Sequence, residues 1–100
     1  KCGKIMIKIS INKDEITVKG HSGYSEAGSD IVCASVSSIL ITTVNALISI
    51  DEDCISYKED EGYLNLKINK HNEIIDKLIN NMINLLKELE VQYKKNIEIR

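Results

Sequence analysis

Twenty consecutive residues, Ile31 to Ile50, carry no charge, and a chain of 100 residues has to find somewhere to put them. A stretch of about this length can span a bilayer as a helix. It nevertheless contains Ser35, Ser37, Ser38, Thr42, Thr43, Asn45 and Ser49, and an isolated span would present several of these polar groups to lipid. The better reading is a helix buried on most of its circumference inside a small protein. Its small side chains allow close packing against a sheet or a partner subunit.

The flanking sequence offers a sheet. Ile5, Ile7, Ile9 and Ile11 alternate with Lys4, Met6, Lys8 and Ser10, the period of a half-buried strand. Asn12 to Glu15 reads as a turn and Ile16 to Lys19 as a second strand, so the two form an antiparallel hairpin. Gly20 to Ser29 is rich in glycine and serine and predicts an irregular loop. Ser29 or Asp30 then supplies an N-cap, and the helix runs to about Ile50. Cys54 to Lys58 and Tyr63 to Ile68 predict a second hairpin around Glu59 to Gly62. From His71 or Asn72 to about Gln92, apolar residues recur at helical spacing from Ile75 to Leu89, with Asp76, Lys77, Asn80, Asn84, Lys87 and Glu88 on the other side. Asn96 to Arg100 adds a last strand. The order ββαββαβ implies an α+β fold of two layers, a mainly antiparallel sheet covered by two helices.

Composition narrows the function. At net charge −2, with 43% hydrophobic and 28% charged residues, the chain reads as one domain over residues 1–100 with room for one core but not a deep cleft. Any site is shallow or shared with a second subunit. Trp, Phe and Pro are absent, so aliphatic residues build the core and stacking platforms for bases are missing. Lysines are scattered rather than clustered, which argues against direct nucleic-acid binding. The dense charge runs are acidic: Asp51 to Asp53 and Glu59 to Glu61. Each reads either as a solvated turn or as a surface that steers a basic polypeptide.

Three cysteines, Cys2, Cys33 and Cys54, with no CxxC spacing indicate neither a disulfide framework nor a zinc site, and fit a reducing cytoplasm. No metal or other cofactor is expected. No signal peptide opens the chain, and Lys1 to Ile5 read as an upstream extension or an expression remnant.

Chemistry concentrates in GHSGYSEAGSDIVCASVS, Gly20 to Ser37. His21 falls at the end of a strand and Cys33 in the first turn of a helix. The positive end of a helix and a nearby imidazolium both favour a thiolate, the nucleophilic form of cysteine. Free backbone amides of the same turn can also hold an oxyanion. The plain alternative is a small buried cysteine and a surface histidine. Cys54 has no His neighbour, Cys2 lies in the doubtful leader, and His71 reads as a surface or capping-region residue.

The run Gly20-His21, Tyr24, Gly28, Asp30-Ile31-Val32-Cys33-Ala34 and Val36-Ser37 resembles the signature of the bacterial ribosomal-processing cysteine protease family, Prp. The likeness in layout extends over Met6 to Arg100, the detailed match over Gly20 to Ser37. Many relatives have Ala where this chain has Ser22 and, often, Ser35. The resemblance implies a cytoplasmic homodimer that removes the N-terminal extension of a large-subunit ribosomal protein, with Cys33 as nucleophile and His21 as general base and acid. Asp30 either orients His21 or caps the helix; Ser37, one turn beyond Cys33, contacts substrate or bonds back within the helix. Tyr24 lines the peptide groove or packs on the loop, while Gly20 and Gly28 supply backbone freedom. The loop from Ser22 to Ser29 is expected to close over an extended peptide. A noncatalytic module that holds a basic ribosomal protein is the competing reading, and no membrane partner is expected.

Overall fold

The computed structural model describes residues 6–20, 29–60 and 62–100, the first two residues of the second stretch by backbone alone. Within them the elements follow the expected order: β1 Ile7–Ile11, β2 Glu15–Lys19, α1 Ser29–Ile50, β3 Ile55–Asp60, β4 Tyr63–Ile68, α2 Glu73–Gln92 and β5 Ile97–Ile99. The strands form one sheet in the order β3-β4-β2-β1-β5. Every neighbouring pair is antiparallel except β1 and β5, which run parallel.

Alternation in the strands becomes two chemically distinct faces because the register aligns like with like. Ile99, Ile9, Val18 and Leu64 lie opposite one another across four strands, and Ile11, Ile16, Leu66 and Tyr57 form the next row. Between them run polar rows such as Ser10, Thr17, Asn65 and Lys58. Both helices pack on the apolar face, where α1 contributes Val32, Val36, Leu40 and Leu47 and α2 contributes Ile75, Ile79, Met82 and Leu86 to a single core. On the polar face Asn65 Nδ2 donates to Glu15 Oε2 at 2.7 Å and Thr17 Oγ1 at 3.1 Å, which satisfies an amide that is otherwise nearly buried.

Helix α1 takes the uncharged stretch as expected. It is long and apolar enough to cross a membrane, yet here its sheet-facing side supplies the core. Thr43 shows how a polar residue enters that side: its Oγ1 donates to the Ile39 carbonyl at 2.9 Å, one turn back. Helix α2 starts where Asn72 accepts from the Ile75 amide at 2.9 Å, with Glu73 and Asp76 in the first turn.

Several boundaries differ from the sequence reading by a residue or two, and three of the differences have a visible cause. Glu15 belongs to β2 rather than to the turn, since it pairs with Lys67 of β4. β3 runs on through Glu59 and Asp60, which pair with Leu64 and Tyr63, because Gly62 at φ 71° tightens the hairpin. α1 begins at Ser29, so Ser29 and Asp30 have helical backbone instead of standing ahead of the helix.

Candidate active site

Chain direction decides what meets at each end of the sheet. Lys19, the last residue of β2, lies opposite Tyr63, which lies opposite Asp60. Four residues link α1 to β3, so α1 descends to where β3 begins and its own start lies where β3 ends. The start of α1 and the end of β2 therefore occupy the same end of the sheet. α2 finishes there too, since four residues carry it into β5, whose Ile97 pairs with Ile7.

Gly20 closes this end. Its amide donates to the Gly62 carbonyl at 3.0 Å, joining the end of β2 to the β3–β4 turn. Its φ is 86°, and a Cβ built on it would run into the Met6 carbonyl oxygen. Only glycine meets both conditions without displacement. His21 follows it directly in the chain. His21, Tyr24 and Gly28 lie outside the described residues, as does the loop expected to move, and Asp30 is placed by its backbone alone, in the first turn of α1.

Cys33 is the fifth residue of α1, in its second turn, and this corrects the expectation of a first-turn thiol. The shift matters chemically. In an α-helix each amide bonds to the carbonyl four residues back, so in a helix starting at Ser29 the Cys33 amide is occupied by the helix itself. The dipole's influence also falls off within the first turn, which leaves a neighbouring base as the stronger means of activating the sulfur. Cys33 is only 4% exposed and packs in the core beside Val32 and Val36. Ser37, one turn on, is half-buried on the same face.

On a face of α1 that Cys33 does not line, the helices leave a groove of about 490 Å³ that the sequence reading missed, formed by Ala34, Ser35, Ser38 and Ile39 of α1 and Leu85, Glu88, Leu89 and Gln92 of α2. Its walls come from helices some fifty residues apart, and no local pattern marks such a meeting. The weak signal was the small residues of α1, which keep that helix face low.

The acidic runs separate by location. Asp51 to Asp53 sit at the far end, where Asp51 Oδ2 accepts from Lys70 Nζ at 3.0 Å and this lysine holds the carboxyl below its usual range. Glu59 lies at the Gly20 end and accepts from the Tyr57 hydroxyl at 2.7 Å. Burial, with Glu59 adding to it, pushes the Tyr57 phenol up to about 12, so it stays a proton donor. Cys54, at the far end, is buried with its Sγ 3.5 Å from the Leu47 carbonyl, and desolvation with the nearby Asp51 pushes its thiol up. That is an inert setting. Among the described residues no group of three His, Cys, Asp or Glu side chains is arranged to hold a metal ion.

A family model described as cysteine protease Prp matches residues 6–98. The ribosomal processing cysteine protease Prp of Staphylococcus aureus (strain Mu50) is 28% identical over 102 residues, covering 95% of this chain and 96% of the relative. The protein of the same name from Bacillus subtilis (strain 168) is 31% identical over 87 residues, covering 80% and 78%. Among solved structures, S. aureus Prp with a covalently linked product peptide gives a TM-score of 0.78 at 26% identity, covering 96% of this chain and 97% of that one. SMU.848 from Streptococcus mutans gives 0.84 at 23% identity, covering 95% and 92%, a likeness of fold.

Proposed function

The chain belongs to the Prp family of cysteine proteases, and on that premise we propose that it is a cytoplasmic peptidase, working as a homodimer, that removes the N-terminal extension of a large-subunit ribosomal protein. Cys33 is the nucleophile and His21 its base. The observation that carries this reading is topological: the helix bearing Cys33 starts at the same end of the sheet at which Gly20 delivers the chain into His21.

The reaction balances with these two groups and water. His21 takes the proton from the Cys33 sulfur, and the thiolate attacks the scissile carbonyl carbon. The C–N bond then breaks as His21 returns that proton to the departing amine, leaving a thioester on Cys33. Water attacks the thioester, with His21 again accepting and returning a proton, and the peptide carboxylate leaves. Asp30 and Ser37 support this machinery, the first by orienting His21 or stabilising the helix start, the second against substrate. Glu59, exposed at the same end, suits the approach of a basic polypeptide.

The test is a peptide spanning the extension boundary, incubated with the natural chain, Cys33→Ala and His21→Ala. Cleavage by the natural chain alone, with both variants still binding the peptide, is the expected result. Cleavage by Cys33→Ala at the natural rate would end the assignment.

The near-complete burial of Cys33 favours a second reading, a noncatalytic module that holds the same basic protein. Alkylation separates the two. An ordinary thiol, with a pKa of about 8.5, reacts slowly at about pH 6.5; a Cys33 no faster than that belongs to the binding module.

A further inference from the structure

Register gathers what the sequence scatters. Both helices pack on one face of the sheet, and the other face is exposed at Lys8, Ser10, Lys19, Ser56, Lys58 and Lys67. Strand alternation puts Lys8, Lys19, Lys58 and Lys67 together there, although each stands on a different strand. The acidic strand residues of the same face are Glu15, Asp60 and Glu98. Arg100 Nε meets Glu98 at 2.8 Å, and Glu15 is drawn to Asn65 rather than to Lys67, which stands opposite it in register. Among the described residues none of the four lysines has an ion-pair partner, whereas Lys70 and Lys77, elsewhere, both do. The result is a net positive face on a chain whose net charge is −2.

We infer that this face binds single-stranded RNA, with the four lysines on phosphates and Tyr63 against a base. Lys8 and Lys19 give the first reason. They lie directly opposite one another on adjacent strands, about 5 Å apart, an arrangement of like charges that costs stability. An anion seated between them turns that cost into attraction. Lys58 and Lys67 form a second couple, diagonal neighbours about 7 to 8 Å apart on β3 and β4. Only β4 separates β2 from β3, so the couples stand about 10 Å apart across the sheet. Two such couples suit a ligand that repeats its negative charge along a flexible chain, as single-stranded nucleic acid does at every nucleotide.

Tyr63 gives the second reason. It follows Lys8 and Lys19 in the same cross-strand row and, with Lys58, Lys67 and Asn65, lines a shallow hollow of about 330 Å³. A base lays its flat face on the phenol ring while the lysines track the backbone, the way sheet surfaces hold single strands. An acidic polypeptide would meet the lysines and leave the ring unused. A bilayer is the poorer occupant, because surface attachment draws on apolar side chains and no strand residue on this face is aliphatic. The choice of RNA over DNA rests on the ribosomal substrate proposed above. The inference reverses the expectation drawn from scattered lysines, since scatter along a chain does not measure spacing across strands. Cys33 lies on the helix side of the sheet, so RNA and peptide take opposite sides.

Fluorescence anisotropy with a labelled single-stranded RNA of about 16 nucleotides, read over a series of salt concentrations, tests this. The logarithm of the association constant is expected to fall against that of salt with a slope of about −3, the value for four phosphate contacts on a single strand. Lys58→Gln/Lys67→Gln is expected to weaken binding at least about tenfold and to bring the slope to about −1.5. Lys77→Gln/Lys87→Gln makes the same change of charge on α2 and is expected to leave both values in place. Tyr63→Leu, with unchanged circular dichroism, is expected to lose about tenfold at an unaltered slope. Equal losses from the two lysine pairs, or no binding at low salt, overturn the face as an RNA site. Polyglutamate that competes as well as unlabelled RNA, or DNA that binds equally, overturns the choice of ligand. Peptide cleavage is followed on the same samples: RNA binding without cleavage ends the proteolytic reading alone, and cleavage without RNA binding ends this inference alone.

Discussion

The two ends of the sheet bring different groups together. At the far end side chains do the fastening: His71 Nε2 lies 2.6 Å from Asp14 Oδ1 and its Nδ1 2.7 Å from Asp76 Oδ1, Lys70 meets Asp51, and Asn69 Nδ2 donates to Ser56 Oγ at 2.9 Å. At the end that bears Cys33 the Tyr57 hydroxyl donates to Glu59 at 2.7 Å, and backbone bonds join Gly20 to the Gly62 carbonyl at 3.0 Å and the Ile7 amide to the Asn96 carbonyl at 2.7 Å. Each end also has a cysteine. The far one, Cys54, lies against the Leu47 carbonyl, and burial first, with Asp51 second, opposes its ionisation. The lesson is that burial alone does not set two thiols apart: Cys33 and Cys54 are both buried, and what differs is the neighbourhood each end supplies.

Exchanging the cysteines gives the largest contrast. Cys33→Ala is expected to lower peptide cleavage by at least about a thousandfold, the scale of losing a nucleophile, while Cys54→Ala leaves the rate within about threefold. Comparable losses from both would erase the distinction between the ends. Next comes Gly20→Ala, which forces a side chain into positive φ and onto Met6. It is expected to cost about 2 kcal/mol or more in urea unfolding, and an unchanged midpoint would show that the turn readily rearranges. Asn72→Ala removes the cap of α2 and is expected to cost about 1 kcal/mol with cleavage intact.

The smallest effect is a pH dependence at the far end. Hydrogen bonds to Asp76 first and Asp14 second raise His71 above its ordinary 6.5. A raised histidine binds its proton more tightly when folded, so its contribution is complete below the unfolded value and fades as pH rises through the folded one. The natural chain is therefore expected to lose melting temperature relative to His71→Gln between about pH 6 and pH 8. Parallel melting curves over that range would show the cluster to be ornamental. All of these groups are exposed, and the effect is correspondingly modest.

Much of the fold was legible in the chain. The isoleucines of β1, the Leu64, Leu66 and Ile68 alternation of β4 and the helical recurrence from Ile75 to Leu89 each state their element and its buried side within one stretch of sequence. The start of α1 was misread by a residue or two because Ser29 and Asp30 are good caps wherever they stand, and the thiol was placed a turn too early as a result. β3 was read short because Glu59 and Asp60 have turn chemistry, and only their pairing with β4 keeps them in a strand. His71 was read as a surface residue near a helix start, which it is, but its partner Asp14 lies 57 positions away.

What the sequence determined by itself was therefore the elements, the side each one buries and the Cys33 and His21 pair to examine, since periodicity and local motif are written within a few consecutive residues. The tertiary structure decided which ends come together, how deeply Cys33 is covered, where the α1–α2 groove opens and which lysines share a face. Those outcomes depend on contacts between residues far apart in the chain, whose geometry is set by strand order and register and leaves no local mark on either partner.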